Sequence, residues 1–502
     1  MGGTGIEQRM AILRSAADQQ IVKPFRTHGW TADITEAKED GEYLVVTAIK
    51  AHVTRRVALL YSSATDNKYY NKLDSEVDRT FTNGELYKIE SFAYGLKKPV
   101  VPVDQFFPVL VAWNKELYPE TGRPPVKPRP SRIHSIKAEN PLLSIWARLD
   151  QFASTHLAEK LISRRAKEQS IDVSDDTVTS KGVGVAFSLR NASDYFRASP
   201  FDSLNKRILS LYYGGLALAF AEMLASPTGP ADLDEVEGYT TRGHGFFAFG
   251  TELRGFSELV VGVLATGFLP RWADFLGHDV RGYPKEKAKS DDGVSKLPPN
   301  TFCTLRELLS AIPEISDLFL EVFESEPSWI MPVPDIEANS PRSFIKPPVL
   351  NSTYIQLVDR SGLIAQTRLE SAGWSIAELS KVPNNQNGQR FRARVDHPEG
   401  SHWSEALPIH HSPFENSGAL ILPPLSNLYE YRVVTMAVLY ALSILVRYMP
   451  RTWRRVEGGD LDQYLGLVKT AIGVFERILP QEFLESITGE RVVATQPGGL
   501  FG

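Results

Sequence analysis

A short basic segment is the first feature of the sequence that could do chemistry. Every charged residue that lies between Glu120 and Glu139 is positive, and basic side chains at this density can contact the phosphates of a nucleic acid. The five residues are Arg123, Lys127, Arg129, Arg132 and Lys137. The segment is also rich in proline, which cannot sustain a helix or a central strand. A solvated linker is therefore the simpler interpretation, and nucleic-acid binding is the alternative.

A group of histidines and glutamates could bind a metal ion. His402, His410 and His411 lie near Glu405 and Glu415 in the sequence, and imidazole and carboxylate groups are common metal ligands. His410 and His411 are adjacent, and adjacent side chains on a strand face opposite ways, so both are not expected to bind one ion. We therefore interpret this segment as a surface loop and predict no metal site.

The sequence does not indicate a catalytic cysteine, a phosphate-binding loop or a nucleophilic serine. The single cysteine, Cys303, has no recognisable Cys/His arrangement around it and is predicted to be a buried thiol. Residues 182–185 do not form a phosphate-binding loop, because no Gly-Lys-Ser/Thr follows them. No Gly-x-Ser-x-Gly sequence occurs to indicate a nucleophilic serine. One cysteine also excludes a disulfide framework within the chain.

Composition and charge narrow the class of protein. The chain has 502 residues, of which 42% are hydrophobic, so it can bury a sizeable core. At about 150 residues per domain, this length predicts two or three domains. The net charge of −5 gives no overall attraction for nucleic acid. The most apolar run, residues 433–446, is too short to span a bilayer and is predicted to be a buried core helix. With no apolar signal segment at the start, we expect a cytoplasmic protein.

The elements that must position these residues form a small first domain, a linker and a large second domain. Residues 1–117 have the pattern of a mixed α/β unit. Its predicted elements are a helix over 6–21, a hairpin of 43–51 with 56–61, a helix over 68–79, and strands over 87–94 and 107–113. Residues 118–139 form the proline-rich basic linker.

Residues 140–502 are predicted to form a mainly helical domain with a β-containing insertion. The predicted helices cover 141–163, 202–224, 253–268, 305–323, 428–448 and 461–478. Strand-like residues occur at 177–189, and the insertion covers 352–414. The predicted fold class of the whole chain is α+β.

Several landmarks follow one another along the second domain. They are an opening helix with Trp146 and Phe152, the segments 211–217, 242–245 and 308–314, and the segment 447–453. With these landmarks, the stretch from about Asn140 to Ser486 resembles the YaaC-like family of bacterial proteins. The family name implies no established reaction.

Part of the second domain, the helix over 207–224 followed by the His244 turn, resembles a HEPN-type helical bundle. Many such bundles are RNases, in which a histidine exchanges a proton with a ribose hydroxyl and an arginine offsets phosphate charge. Two pairs have the spacing of such an arginine and histidine, Arg271 with His278 and Arg392 with His397, and Arg392 lies in a β-like run, so Arg271 and His278 are the candidates. Trp272 stands where active members favour a polar residue, so RNase activity is the alternative rather than the expectation.

The first domain has the order helix, Gly29-Trp30, an Asp40-Gly41 turn, hairpin and helix. In this order it resembles a restriction-endonuclease-like fold. Such a fold holds Mg²⁺ between an aspartate at the start of one strand and an acid two residues before a lysine on the next. The resemblance therefore implies a DNA-cleaving ancestry and a magnesium cofactor if the domain is active.

The residues that this resemblance would make catalytic form an incomplete set. Asp40 or Glu42 would be the first acid. The second strand should then contain an acid-x-Lys sequence, but the residues at that position are Leu59-Leu60-Tyr61-Ser62. The other lysine, Lys50, has Ala48 in the place of the acid. We predict a degenerate domain that binds DNA or a partner without cutting. The alternative acids are Asp33 and Glu36.

These patterns together predict a non-catalytic component of a bacterial complex, in the setting of phage defence. Its expected partners are DNA or RNA, other proteins or a second copy of the chain, and not a membrane. No cofactor is expected. The alternatives are a Mg²⁺-dependent DNase acting through the first domain, a HEPN-type RNase acting through the second, and a structural protein whose apolar helices form an oligomer interface.

Overall fold

The apolar runs between residues 43 and 60 pair as the centre of a five-stranded sheet in a computed structural model of the chain. The chain divides into two units, Met1–Thr121 and Gly122–Gly502. Both contain helices and strands, which confirms the predicted α+β class. The structure describes residues 5–28, 30–38, 41–50, 53–61, 66–84, 93, 95–117, 133–197, 202–250, 255–339, 351–364, 369, 372–383, 389–415 and 417–496.

The sheet of the first unit is mixed. Its strands are β1 (Thr31–Ala37), β2 (Tyr43–Lys50), β3 (Val53–Leu60), β4 (Arg79–Thr82) and β5 (Val100–Pro102). They lie in the order in which they occur along the chain. β1, β2 and β3 are antiparallel neighbours, and β4 and β5 continue parallel to β3. The predicted hairpin is confirmed, with Tyr43 opposite Leu60 and Lys50 opposite Val53.

Both faces of this sheet are apolar, so both must be covered. The helices of the unit are α1 (Gly5–Ala17), a π-helical turn (Asp18–Val22), α2 (Lys23–Thr27), α3 (Asn67–Glu76) and α4 (Phe106–Leu117). Leu44 and Val46 of β2 pack in one buried cluster with residues of α1, α2 and α4. Val45 of the same strand packs in another with Tyr70 and Leu73 of α3.

The second unit is built around long helices. They are α5 (Pro141–Phe152), α6 (Thr155–Glu168), α7 (Asp175–Phe196), α8 (Leu204–Ala225), α9 (Leu233–Thr240), α10 (Phe268–Leu276), α11 (Asp291–Ser295), α12 (Leu305–Ser310), α13 (Ser316–Phe323), α14 (Tyr431–Tyr448), α15 (Pro450–Gly458) and α16 (Gln463–Thr488). One large apolar core joins most of these helices. By length and composition α8 and α14 are apolar enough to cross a bilayer, but most of each lies buried inside this unit. The predicted core helix over 433–446 is thus confirmed.

Three sheets accompany these helices. Their strands are β6 (Ile133–Lys137), β7 (Phe246–Phe249), β8 (Val260–Val263), β9 (Phe302–Thr304), β10 (Trp329–Pro334), β11 (Ser352–Asp359), β12 (Ile376–Val382), β13 (Gln389–Asp396), β14 (Leu420–Ile421) and β15 (Arg491–Thr495). β10 to β14 form one antiparallel sheet with an apolar cluster of its own. This sheet lies in the chain between α13 and α14, where the β-containing insertion is predicted.

Three predicted elements have the wrong type. Residues 107–113 lie in helix α4 and residues 177–189 in helix α7, although both read as strands. The glycines of α7 do not break it because it packs closely against its neighbours. A Cβ atom on Gly182 would lie 2.6 Å from Cγ of Glu159, and one on Gly184 would lie 2.8 Å from Cδ1 of Leu224. Conversely, residues 253–268, predicted as a helix, contain strand β8, and the helix begins only at Phe268.

The predicted linker, residues 118–139, ends with a strand that belongs to the second unit. Residues 133–137 form β6, which pairs in parallel with β15 near the other end of the chain. This pairing belongs to the second unit, which begins at Gly122. Residues 118–132 lie outside the described residues.

The single cysteine is expected to react slowly in the folded protein. Cys303 is 5% exposed, and burial raises the pKa of its thiol well above its ordinary value. Only the thiolate is nucleophilic. At pH 8, a disulfide reagent should therefore label Cys303 at least about a hundredfold more slowly in the native protein than in urea, because labelling requires local opening. Equal rates in both states would contradict the burial.

Candidate functional site

Glu42 and Lys50, the described members of the set predicted in the first unit, do not form one site. Glu42 precedes β2 and Lys50 ends it, and eight residues of strand separate their Cα atoms by about 25 Å. The Glu42 carboxylate accepts a hydrogen bond from Arg9 at 3.2 Å, whereas Lys50 Nζ donates to the His28 carbonyl at 2.6 Å. Asp40 lies outside the described residues.

The place of the acid-x-Lys on β3 is occupied by the core. The Tyr61 amide donates to the Glu42 carbonyl at 2.8 Å, so the end of β3 does lie beside Glu42. Leu59 and Leu60 there are fully buried, in the clusters on opposite faces of the sheet. The alternative acids also have partners: Asp33 pairs with Arg26 and Glu36 pairs with Arg56.

Arg271 and His278 have different surroundings in the second unit. Arg271 is exposed on α10, with its guanidinium 5.8 Å from the centre of the Tyr239 ring. His278 follows α10 and is 8% exposed. Its Nε2 atom lies 2.7 and 2.8 Å from the two carboxylate oxygens of Glu430. The contacts of the two residues therefore run to separate partners.

Only one residue of the basic segment lies in the described part of the chain. Lys137 is the last residue of β6, and it is exposed. Arg123, Lys127, Arg129 and Arg132 lie outside the described residues.

The histidine segment contains a buried ion cluster that the sequence did not predict. His402 and His411 are exposed, as expected of a surface loop, but His410 is 6% exposed. Its Nε2 lies 2.7 Å from Oε1 of Glu314, and its Nδ1 lies 2.9 Å from Oε1 of Glu482. Burial opposes the charge on this ring, but the two hydrogen-bonded carboxylates more than offset it and raise the pKa of His410 to about 10.

A second buried group of charges adjoins the start of α14. Arg432 donates from Nη2 to Oε1 of Glu222 at 2.6 Å and from Nε to Oε2 at 3.2 Å. The indole N–H of Trp272 donates to the same Oε2 at 2.9 Å. Despite burial, the charges of Glu222, Glu430 and Glu482 raise the pKa of Arg432 further above its ordinary value. Among the described residues no three His, Cys, Asp or Glu side chains are grouped so as to hold a metal ion. In the groups around His410 and Arg432, buried charges are therefore paired with one another.

An open groove lies along α7, α8 and α9. Its larger part has a volume of about 680 Å³ and its smaller part about 160 Å³. The two parts adjoin each other, since Leu216, Phe220 and Glu237 line both. Helix α7 contributes Phe187 and Tyr195, which are 46% and 42% exposed.

Polar residues are among those that line this groove. The Ser188 hydroxyl is buried and has no hydrogen-bond partner among the described residues. Nδ1 of His244 is likewise buried without a partner. Burial, together with the charge of Arg447, lowers the pKa of His244, which favours the neutral imidazole. The carboxylates of Asp234 and Glu237 line the α9 side.

The sequence contains a signal for this groove. On α8, Tyr213, Leu216 and Phe220 follow at helical spacing and are only partly buried. These positions lie outside the fully buried face of the helix, which includes Leu211, Tyr212 and Leu218. When apolar residues extend beyond the face of a helix that packs in the core, they indicate a second apolar surface that is exposed.

The family model for the YaaC-like Protein matches residues 150–487 of the chain. The chain belongs to the YaaC-like family. The matched residues run from the end of α5 almost to the end of α16, so they contain the groove and both buried charge groups. No curated protein and no solved structure matches the chain.

Proposed function

We propose that this YaaC-like protein is a non-catalytic binding component of a bacterial complex in the cytoplasm. The proposal rests on the positions and contacts of the residues with predicted catalytic roles. Glu42 and Lys50 stand at opposite ends of one strand, and apolar core residues fill β3 beside Glu42. Arg271 and His278 have separate partners. The described members of each group are thus engaged with other parts of the protein rather than with each other.

The first unit is proposed to be a restriction-endonuclease-like domain that has lost catalysis. The observed order of a helix, a hairpin, a helix and a further strand supports the resemblance. The buried leucines at the end of β3 support the loss of activity, because carboxylate and lysine groups are needed to hold the metal and activate water. A HEPN-like character of the second unit and a role in phage defence are part of the same proposal.

An assay for nuclease activity tests the proposal. The purified full chain should leave double-stranded DNA and single-stranded RNA uncut in the presence of Mg²⁺, because Glu42 and Lys50 lie at opposite ends of a strand and Arg271 and His278 have separate partners. Magnesium-dependent cleavage of DNA that is lost in Glu42→Ala or Asp40→Ala would overturn it. So would cleavage of RNA that is lost in Arg271→Ala, a variant of an exposed residue that leaves the core intact.

A pull-down then separates the two kinds of partner. The tagged full chain is recovered from infected and uninfected cells, and the associated nucleic acid is sequenced while associated proteins are identified. A binding component should enrich the same partner reproducibly over a tagged control protein. Recovery of nothing beyond that control from either kind of cell counts against a binding role.

A further inference from the structure

We infer that the groove along α7, α8 and α9 binds a basic amphipathic helical segment of a partner protein. This inference rests on the proposed binding function and names the class of partner. Three features of the groove carry it: an exposed apolar stripe, a pair of carboxylates without counter-charges, and buried polar groups left without hydrogen bonds.

The apolar stripe comes from two neighbouring helices. On α7 the exposed large apolar residues that line the groove are Phe187 and Tyr195, two helical turns apart. On α8 the partly buried Leu216 and Phe220 line the same groove. An exposed apolar patch with a polar rim is typical of a protein-binding surface. The stripe indicates a ligand with an apolar face of its own.

The rim of the groove is acidic. Asp234 and Glu237 are three residues apart on α9, so their side chains lie on one face of the helix, about 5–6 Å apart at Cβ. Both are exposed, and within the described part of the chain neither forms an ion pair. No lysine or arginine is found among the described lining residues. A nucleic-acid backbone would meet two uncompensated carboxylates here, whereas lysine or arginine side chains would be attracted.

Two polar atoms of residues that line the groove have no hydrogen-bond partner among the described residues. Ser188 is 2% exposed, and its hydroxyl has no partner among the described residues. His244 is half-buried, and its Nδ1 atom is buried without a partner in the same part of the chain. Buried polar groups are normally hydrogen-bonded, so a ligand seated in the groove would offer each atom a partner once its side chain turns toward that ligand.

The dimensions fit a short helix. Phe187 and Tyr195 are eight residues apart, which corresponds to about 12 Å along a helix axis, or slightly more than two turns. A ligand helix places apolar anchors at i, i+3 or i+4 and i+7 over such a length. Basic residues at i and i+3 or i+4 beside those anchors would match the spacing of Asp234 and Glu237.

A model peptide tests the inference with the full chain. The probe is a fluorescein-labelled peptide of leucine and lysine, about 14 residues long, with leucines at helical spacing. Its binding is followed by fluorescence anisotropy at low salt. The matched peptide has glutamate in place of every lysine. We expect binding of the lysine peptide, little binding of the glutamate peptide, and weakening of the former by salt.

Two sets of variants locate the binding surface. The double variant Asp234→Lys, Glu237→Lys should weaken binding of the lysine peptide at least about tenfold, since it replaces two attractions by two repulsions. The control variant Glu399→Lys, Glu457→Lys makes the same charge change at exposed positions that do not line the groove. Phe187→Ala should also weaken binding, whereas Leu143→Ala, a truncation of an exposed apolar residue on α5 that does not line the groove, should not.

The outcomes distinguish the inference from the proposed function. Equal binding of both peptides, or equal affinity of the groove variant and its charge control, overturns the inference. Stronger binding of labelled single-stranded RNA or duplex DNA to wild type than to the Asp234→Lys, Glu237→Lys variant overturns it in favour of nucleic acid at this groove. Cleavage of those nucleic acids by the same preparation overturns the proposed function instead.

Discussion

Replacing His410 with alanine is expected to lower the free energy of unfolding by about 3–5 kcal/mol. The imidazolium donates to Glu314 and Glu482, and the side chain of Glu314 is fully buried. Removing the ring leaves that carboxylate without its counter-charge in a medium where an unpaired charge is costly. The stacked ring of Tyr431, whose centre lies 4.0 Å away, loses its contact as well. Urea denaturation followed by circular dichroism measures the change.

The contribution of His410 should also depend on pH. Its pKa is raised from 6.5 to about 10 in the folded protein. The folded state therefore holds a proton that the unfolded chain releases between these values, so the stabilisation is full below about pH 6.5 and is lost as the pH rises toward 10. The wild type should lose stability over this window more steeply than His410→Ala. The control is His402→Ala at an exposed position, which should unfold like the wild type. A variant at position 410 within 0.5 kcal/mol of wild type, about the range of surface substitutions, would contradict the ion cluster.

Elements with a local signal could be predicted from the sequence. The hairpin was predicted over 43–51 and 56–61 and is observed over Tyr43–Lys50 and Val53–Leu60, because continuous β-branched and aliphatic runs indicate a strand buried on both faces. Helix α7 could not be predicted, because its glycines disfavour a helix and its β-branched residues favour a strand. Its close contacts with α6 and α8 decide the structure, and they involve residues distant in the sequence.

The buried ion clusters could not be predicted for a similar reason. His410 meets Glu482 across 72 residues and Glu314 across 96. The adjacency of His410 and His411 correctly indicates that the two rings face different ways, but it does not say which of them is buried. The groove is an intermediate case: the apolar positions of α8 indicate an extra surface, but the acids that face it come from another helix.

Replacing Trp272 with alanine is the second change expected to have a large effect. We expect a loss of about 3–5 kcal/mol in the free energy of unfolding of the second unit. The ring is 1% exposed and is stacked between Phe268 and Phe483, with centroid distances of 5.9 and 6.1 Å. Its N–H also donates to Glu222, which is 3% exposed. Because the chain has two units, labelling of Cys303 in urea is the measurement that reports on the second one.

Two matched variants separate the causes of this loss. Trp272→Phe keeps most of the apolar contact but removes the donor to Glu222, so it should cost about 1–3 kcal/mol. Arg271→Ala changes the neighbouring residue of the same helix, whose side chain is exposed, and should stay within about 0.5 kcal/mol of wild type. Trp272 is thus committed to the core and to a buried carboxylate, whereas Arg271 beside it on the same helix is exposed. If Arg271→Ala destabilised the unit as much as Trp272→Ala, that division of α10 into a core side and a solvent side would be wrong.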